Sequence, residues 1–456
     1  MSVSNERILF TKAMKKDYTI LMPTMLPIHF KLIANILREY GYRCELLENS
    51  GQNVVDCGLR SVHNDTCYPA LLVIGQMIDA LESGKYDVNK VAVLMSQTGG
   101  GCRASNYIHL LRKALKRNGY GQVPVISISM GMEKNPGFQM TPTMVDRIFY
   151  AILYGDLLML LANQVKPYEC VSGAADQLVD SWTKRIAADM KGRGLLSYAR
   201  VRRNYKKIVE EFAHIPRRVE KKIRVGIVGE IYVKFSPLGN NHLEDFLLSE
   251  GCEPVVPGLL DFCLYCVYNQ LKDHKLYGLH SKPANLGMKV VYKMLLKKQR
   301  DVIEAVTDEG TFRPSGYFPH TVKLSEGYLD HGVKMGEGWL LTAEMLELIE
   351  QGVGNIVCTQ PFGCLPNHIV GKGMMRLIKE RNPLSNIVAV DYDPGATRIN
   401  QENRIKLMLA NAAAIEASRL TAEKSPAEEK KHTGHGVGTG TTAGKKSKKP
   451  LATAAV

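Results

Sequence analysis

Short apolar runs alternate along the chain with stretches whose apolar positions return every three or four residues. That is the pattern of buried strands followed by amphipathic helices. Near the start, DYTILMPTMLPIHFKLIANILREYGYRCELLE reads as strand, loop, helix, glycine turn and strand. From Ile223, IRVGIVGEIYVKFSPLGNNHLEDFLLSEGCEPVVP reads the same way. The two helices close near Gly41 and Gly251, and the strands after them carry Cys44 and Cys252. A second pair of segments also matches. VAVLMSQTGGGCRASNYIHLLRKALKRNGYGQVPVISIS is a buried strand, a glycine-rich loop, a helix and a strand, and NIVCTQPFGCLPNHIVGKGMMRLIKERNPLSNIVAVDYD repeats that order. Apolar strands alternating with helices predict an α/β protein with parallel sheets built from βαβ units. The repeated order predicts two Rossmann-like lobes related by internal duplication. Lobe 1 covers 1–165 and lobe 2 covers 223–420, with a helical insertion at about 271–324. Residues 166–222 read as a basic helical connector, and 421–456 as a disordered, basic, Gly/Thr/Lys-rich tail.

Composition narrows the class. With 456 residues, 45% hydrophobic and 23% charged, the chain is long enough for two or three globular domains. The most apolar stretch, near Ala151 to Val165, carries Asp156 and falls short of the roughly 20 residues that span a bilayer. The N-terminal MSVSNERILF lacks the apolar core of a secretory signal, so a cytoplasmic protein without membrane association is expected. The net charge of +14 is localised. Residues 184–224 hold fourteen Lys or Arg against four acids, and residues 424–456 hold seven Lys against two Glu, which leaves the rest near neutral. The connector's charge fits a solvated helical face, or a surface for an anionic ligand or an acidic partner. Nucleic acid is an unlikely partner, because no binding-module fingerprint accompanies it. The tail's GTTAGKK lacks the glycine spacing and preceding strand of a phosphate loop.

Candidate chemistry lies in the ten cysteines. Cys102 and Cys364 fall at matching places in the repeat, each after the carboxyl end of a strand, in GGGC and PFGC. Ligands in open α/β sheets bind beyond those strand ends. Cys67, in HNDTCYPALLVIGQMI, also opens a helix, where first-turn N–H groups and the helix dipole lower a thiol's pKa. An iron–sulfur cluster needs thiolates, small residues that allow close backbone approach, and N–H donors. Gly99, Gly100, Gly101 and Gly363 supply the small residues. Three widely separated thiolates meeting between two lobes suit a 4Fe–4S cluster with one iron free of Cys. Cys358, six residues before Cys364, is a candidate fourth ligand or supporting group. Cys266, in DFCLYCVYN, is a further candidate, with core packing as the competing reading for its CxxC pair. Cys44, Cys252, Cys170 and Cys57 read as structural thiols. Zinc is less well served, because no short Cys pair recurs and no paired His follows. Glu230, in VGEIYV, follows a strand end and is a candidate catalytic group, or else a helix cap. His63, Asn64 and Asp65 read as shaping the Cys67 loop, His368 and Lys372 as anion-binding or solvated, and DYDPGAT as a turn.

Taken together, MKKDYTILMPTMLPIHF, HNDTCYPALLVIGQ, GGGCRASNY, VGEIYVKFSP, QPFGCLPNHIVGKG and VDYDPGATRINQENRIKLML resemble the 2-hydroxyacyl-CoA dehydratase superfamily, and within it the acyl-CoA dehydratase activase-related branch. The resemblance covers about residues 7–415. It implies one 4Fe–4S cluster held by Cys67, Cys102 and Cys364. It also implies a separate ATPase activase of the acetate-kinase and hsp70 type, since no ATPase segment is found here. In the superfamily the activase injects a low-potential electron, and a 2-hydroxyacyl-CoA becomes a ketyl radical that expels hydroxide. A relative with a double-cubane cluster reduces small molecules, and such a cluster here would recruit Cys358 and Cys266. A non-catalytic cluster-binding relay or activase-docking adaptor is the alternative, as is a cluster-free Rossmann-like binding protein. Homo- or hetero-oligomers are both compatible. The dehydratases use two different subunits, whereas this chain carries both halves.

Overall fold

The apolar runs become parallel strands because each is covered on both faces. A computed structural model describes residues 7–96, 101–128, 135–192, 194–279 and 281–429, with side chains to 416. One sheet holds β1 (Thr19–Pro23), β2 (Arg43–Leu47), β3 (Val91–Ser96) and β4 (Val125–Ile128) in the order β2-β1-β3-β4. The other holds β5 (Arg224–Gly229), β6 (Glu253–Val255), β7 (Asn355–Pro361) and β8 (Asn386–Tyr392) in the order β6-β5-β7-β8. All strand pairs within the sheets are parallel, and the two orders are the same. In both, the order reverses between the first and third strands, which is where ligands settle in such sheets. Ile20, Leu21, Ala92 and Val93 in the first sheet and Val225, Ile227, Ile356 and Val357 in the second are wholly buried. Sheets covered on both faces need such continuous apolar strands.

The helix Pro142–Val165 ties the two sheets together. It starts nine residues before the apolar stretch seen in the sequence, with Thr141 Oγ1 accepting from Met144 N at 3.2 Å. By length and composition this helix could span a bilayer, but 78% of its most apolar stretch is buried inside the protein. Its Asp156 receives His29 Nε2 at 2.8 Å and caps a second helix, Leu259–Tyr277, through the N–H groups of Leu259 and Leu260 at 2.8 Å each. One carboxylate thus joins a lobe 1 helix, a lobe 2 helix and the buried His29. Residues up to Ala410 accordingly form one compact unit, so the lobes and connector are not separate bodies.

The connector folds as the helices Ala174–Asp189 and Tyr198–Ala213. Part of its positive charge is paired within the fold. Arg202 pairs with Asp301 and Glu304, and Lys206 with Asp308, all on the inserted helix Lys282–Glu309, while Arg185 pairs with Glu211. The insertion is therefore a helical brace against the connector. The final helix runs Arg398–Glu429, so residues 421–429, expected as disordered tail, are helical. The unit from Asn411 onward contains the second half of that helix. The remainder of the expected tail, 430–456, lies outside the described residues.

Candidate functional site

A cavity of about 540 Å³ opens where the carboxyl ends of the two sheets face each other. Pro23 ends β1 and Thr24 follows it, Met95 and Ser96 end β3, Glu230 follows β5, and Gly363 follows β7; all line it. Both strand-order reversals therefore contribute to the same walls. Cys67, Cys102 and Cys364 line this cavity together, with Gly101, Glu337, Tyr107 and an apolar wall that includes Phe30, Val73 and Phe262.

Each thiol is placed by a local turn. Cys67 is the residue before the helix Tyr68–Glu82, whose first N–H, from Tyr68, donates across the lobes to Phe362 O at 3.0 Å. Cys102 precedes a 3₁₀ turn, Arg103–Asn106, and its Sγ accepts from Ala104 N at 3.5 Å. Cys364 precedes a π-helical turn, Asn367–Gly371, which continues through a 3₁₀ turn into the α-helix Met375–Arg381, so the helix expected there is present but irregular at its start. The glycines permit the close lobe-to-lobe fit. Gly363 sits at φ +70°, and a Cβ there would come within 3.1 Å of Cys67 Cα. A Cβ on Gly101 would collide with Met335 Sδ. Gly99 and Gly100 lie outside the described residues.

Burial dominates the electrostatics. The sequence pointed to thiols acidified by helix ends, but burial outweighs the N–H donors at all three. Burial pushes Cys102 up to about 11, against the opposing hydrogen bond from Ala104. Cys364 lies still higher, through burial and then Glu337 and Glu230. Cys67 is raised by burial, while its 3.0 Å contact with Tyr107 Oη pulls the other way. Two buried carboxyls face the same space. Glu230 is held well above the usual carboxylate range, first by burial and then by Glu337. Glu337 is likewise raised by burial. The site thus gathers three thiols and two carboxyls, all of which would become anions on losing a proton. Of the neighbouring cations, Lys234 is committed to Glu344 at 2.9 Å, and Arg103, which lines the cavity and favours the Cys67 thiolate, donates to Asp65 O. A donor set of this kind calls for a positive guest, which would draw the thiol pKa values down.

Among the described residues, no three His, Cys, Asp or Glu side chains gather closely enough to share a single metal ion. The three thiols share the wall of one cavity, and a multi-atom cluster carries its thiolates spread around its edge.

Glu230 fills both roles weighed for it. Its Oε2 accepts from Val233 N at 2.9 Å, capping the helix Ile231–Phe235, and it faces the cavity. Cys358 and Cys266 are not brought to the cavity wall. Cys358 is fully buried within β7, three residues short of the strand's end, and its Sγ lies 3.5 Å from Asn367 Oδ1. Since Asn367 N–H bonds toward Cys364, Cys358 belongs to the packing beneath that loop. Cys266 lies one helical turn beyond the cavity-lining Phe262, packed against the core, with its thiol pushed up to about 12 by burial and by Glu337. Core packing therefore describes its place. His368 lines the cavity, whereas Lys372 pairs with Asp391 at 3.3 Å. Arg103 reaches back to Asp65 O and pins the loop before Cys67. Gly395 N donates to Asp393 at 2.7 Å, which makes DYDPGAT a turn.

Sequence reasoning missed Glu337 and Tyr107. Glu337 had a signal: it lies just before the helix that leads into β7, as Cys67 lies just before the helix that leads into β3. Tyr107 had none beyond its nearness to Cys102 in the chain. Comparison with protein-family models and with curated proteins found no match.

Proposed function

We propose that this chain is an iron–sulfur protein of the 2-hydroxyacyl-CoA dehydratase type, built from two duplicated Rossmann-like lobes, cytoplasmic, and supplied with electrons by a separate ATP-dependent activase. One observation carries the reading. Three cysteines far apart in sequence, Cys67, Cys102 and Cys364, line one cavity at the facing switch points of two sheets with the same strand order. The two orders being identical supports duplication, and ten free thiols suit a reducing compartment.

Cys67, Cys102 and Cys364 would hold a 4Fe–4S cluster. When bound, it would supply low-potential one-electron chemistry and Lewis acidity toward a substrate oxygen. The chain's own residues do the rest. Phe30, Val73 and Phe262 keep water from the wall and suit the acyl portion of a thioester. Glu230, its carboxyl favoured in the protonated form by burial, can hold a proton at its Oε atoms beside the substrate. Tyr107 Oη stands 3.0 Å from Cys67 Sγ and fixes that thiol. Because Cys358 and Cys266 do not line the cavity, the ligand supply favours one cubane over a double cubane.

The test is anaerobic purification of wild type and Cys102→Ser with iron and sulfide assays and EPR of the reduced protein. About four irons per chain, lost in the variant, is the expected outcome. An iron-free protein after careful reconstitution overturns the reading. Binding of a 2-hydroxyacyl-CoA near the cluster then separates an enzyme from a relay, which would bind none.

A further inference from the structure

The two sheets have the same strand order, so each lobe 1 site residue has a counterpart position in lobe 2. Cys102 and Cys364 are such a pair, one after β3 and the other after β7. Cys67 stands at the start of the helix Tyr68–Glu82, which runs into β3 and packs on β1. The matching lobe 2 helix is Trp339–Glu350, which runs into β7 and packs on β5. Glu337 lies immediately before the cap residue of that helix, Gly338. It is buried, and it lines the same cavity as the three thiols.

The local backbone explains why a side chain at 337 faces inward. Gly336 and Gly338 are both left-handed, at φ +59° and +46°, so the chain reverses around Glu337. A Cβ on Gly336 would stand 3.7 Å from Cys102 Sγ, which places this loop directly against that sulfur. Glu337 Oε1 accepts from Ile231 N at 3.1 Å, an anchor that holds the carboxyl in position.

We propose that Glu337 is the lobe 2 counterpart of Cys67 and gives the cluster its fourth protein ligand, a carboxylate beside Cys67, Cys102 and Cys364. The inference rests on the iron–sulfur reading of this cavity. A carboxylate is a harder and more exchangeable donor than a thiolate, so the iron it holds is the one open to exchange with an incoming oxygen ligand. The pseudo-symmetric site then has three soft corners and one hard corner.

Full-length wild type, Glu337→Gln and Glu337→Cys are reconstituted with ⁵⁷Fe and compared by iron content, EPR, Mössbauer spectra and the rate at which a chelator removes iron. Gln keeps an oxygen that can accept from Ile231 N while losing the charge. It is expected to shift the EPR signal and to speed release of one iron by about tenfold or more. Cys is expected to slow that release below the wild-type rate and to make the four iron environments more alike. Spectra and release rates unchanged in both variants, with iron retained, overturn the ligand assignment and leave the cluster reading standing. An iron-free wild type overturns both. Should the Gln variant fail to fold by circular dichroism, the Cys variant decides by the same spectra and rates.

Discussion

The buried ion pair Lys234–Glu344 fixes the walls of the site, and its removal has a calculable effect. Lys234 lies on the helix Ile231–Phe235 that Glu230 caps, and Glu344 lies on the helix that Glu337 precedes. The side chains are 5% and 2% exposed and meet at 2.9 Å, so solvent screens the pair little. Deleting one partner of such a pair leaves a buried, uncompensated charge at a cost of about 3–5 kcal/mol. Lys234→Met is therefore expected to lose about that much, and Lys234→Met with Glu344→Gln to recover more than half of it. The pH dependence has a definite sign. Burial already raises the Glu344 carboxyl, opposed by Lys234, so loss of the lysine raises it further. An acid whose folded pKa lies above its unfolded value favours folding when protonated. Its penalty is present above the folded pKa and fades as pH falls toward the unfolded value. The deficit of the single variant should accordingly be larger at pH 8 than at pH 5. The chain has two tryptophans, and Trp339 sits on the Glu344 helix. Urea unfolding followed by Trp339 fluorescence in a Trp182→Phe background reads this region directly. A deficit below about 1 kcal/mol, or one that does not change with pH, refutes the argument that the pair is desolvated and uncompensated when broken.

Other consequences are simpler to check. Gly363→Ala should cost about 1–2 kcal/mol from the left-handed backbone alone, and it should also speed amide exchange at Tyr68, whose N–H bonds across the lobes to Phe362. Trp339→Ala removes the largest fully buried side chain and should cost about 3–5 kcal/mol in urea unfolding followed by circular dichroism. Lys206→Ala breaks an exposed pair with Asp308 and should change stability by less than about 1 kcal/mol, with the difference shrinking further in high salt.

The sheets were legible because their strands are continuous apolar runs, a signal that parallel packing on both faces enforces. The repeated order of elements predicted two similar lobes but no strand order, which is the same in both sheets. What the sequence obscured were features settled by tertiary contact. The apolar stretch ending at Val165 read as too short for a membrane span, yet the helix begins at Pro142 and is buried between lobes, with Asp156 satisfied by His29 and a helix end. The basic connector read as a solvated face or a surface for an anionic ligand or acidic partner, and spacing alone could not show that Arg202 and Lys206, each half exposed, meet acids on the inserted helix about a hundred residues away in the chain. Cys358 looked close to Cys364 in sequence, yet a strand residue three positions from the end of β7 sits beneath the loop that carries the site. Spacing along the chain measures distance poorly once a strand enters a sheet.

The thiols show the same limit in electrostatic form. At a helix start, local sequence argues for an acidified cysteine, through the dipole and free N–H groups. Cys102 does receive Ala104 N–H, but its surroundings are buried and carry Glu337 and Glu230. Those carboxyls come from the other lobe, one from the end of β5 and one from before the helix leading into β7. The lobes therefore impose on each other a cavity that is costly to ionise without a cation. A cluster would resolve that cost by pairing every thiolate with iron. Folding alone does not need such a cavity, for Cys44 and Cys252 show that thiols in this protein can be buried in ordinary apolar packing. The concentration of acidic groups at the facing strand ends, where apolar side chains would pack more stably, is the physical reason to place the chemistry there.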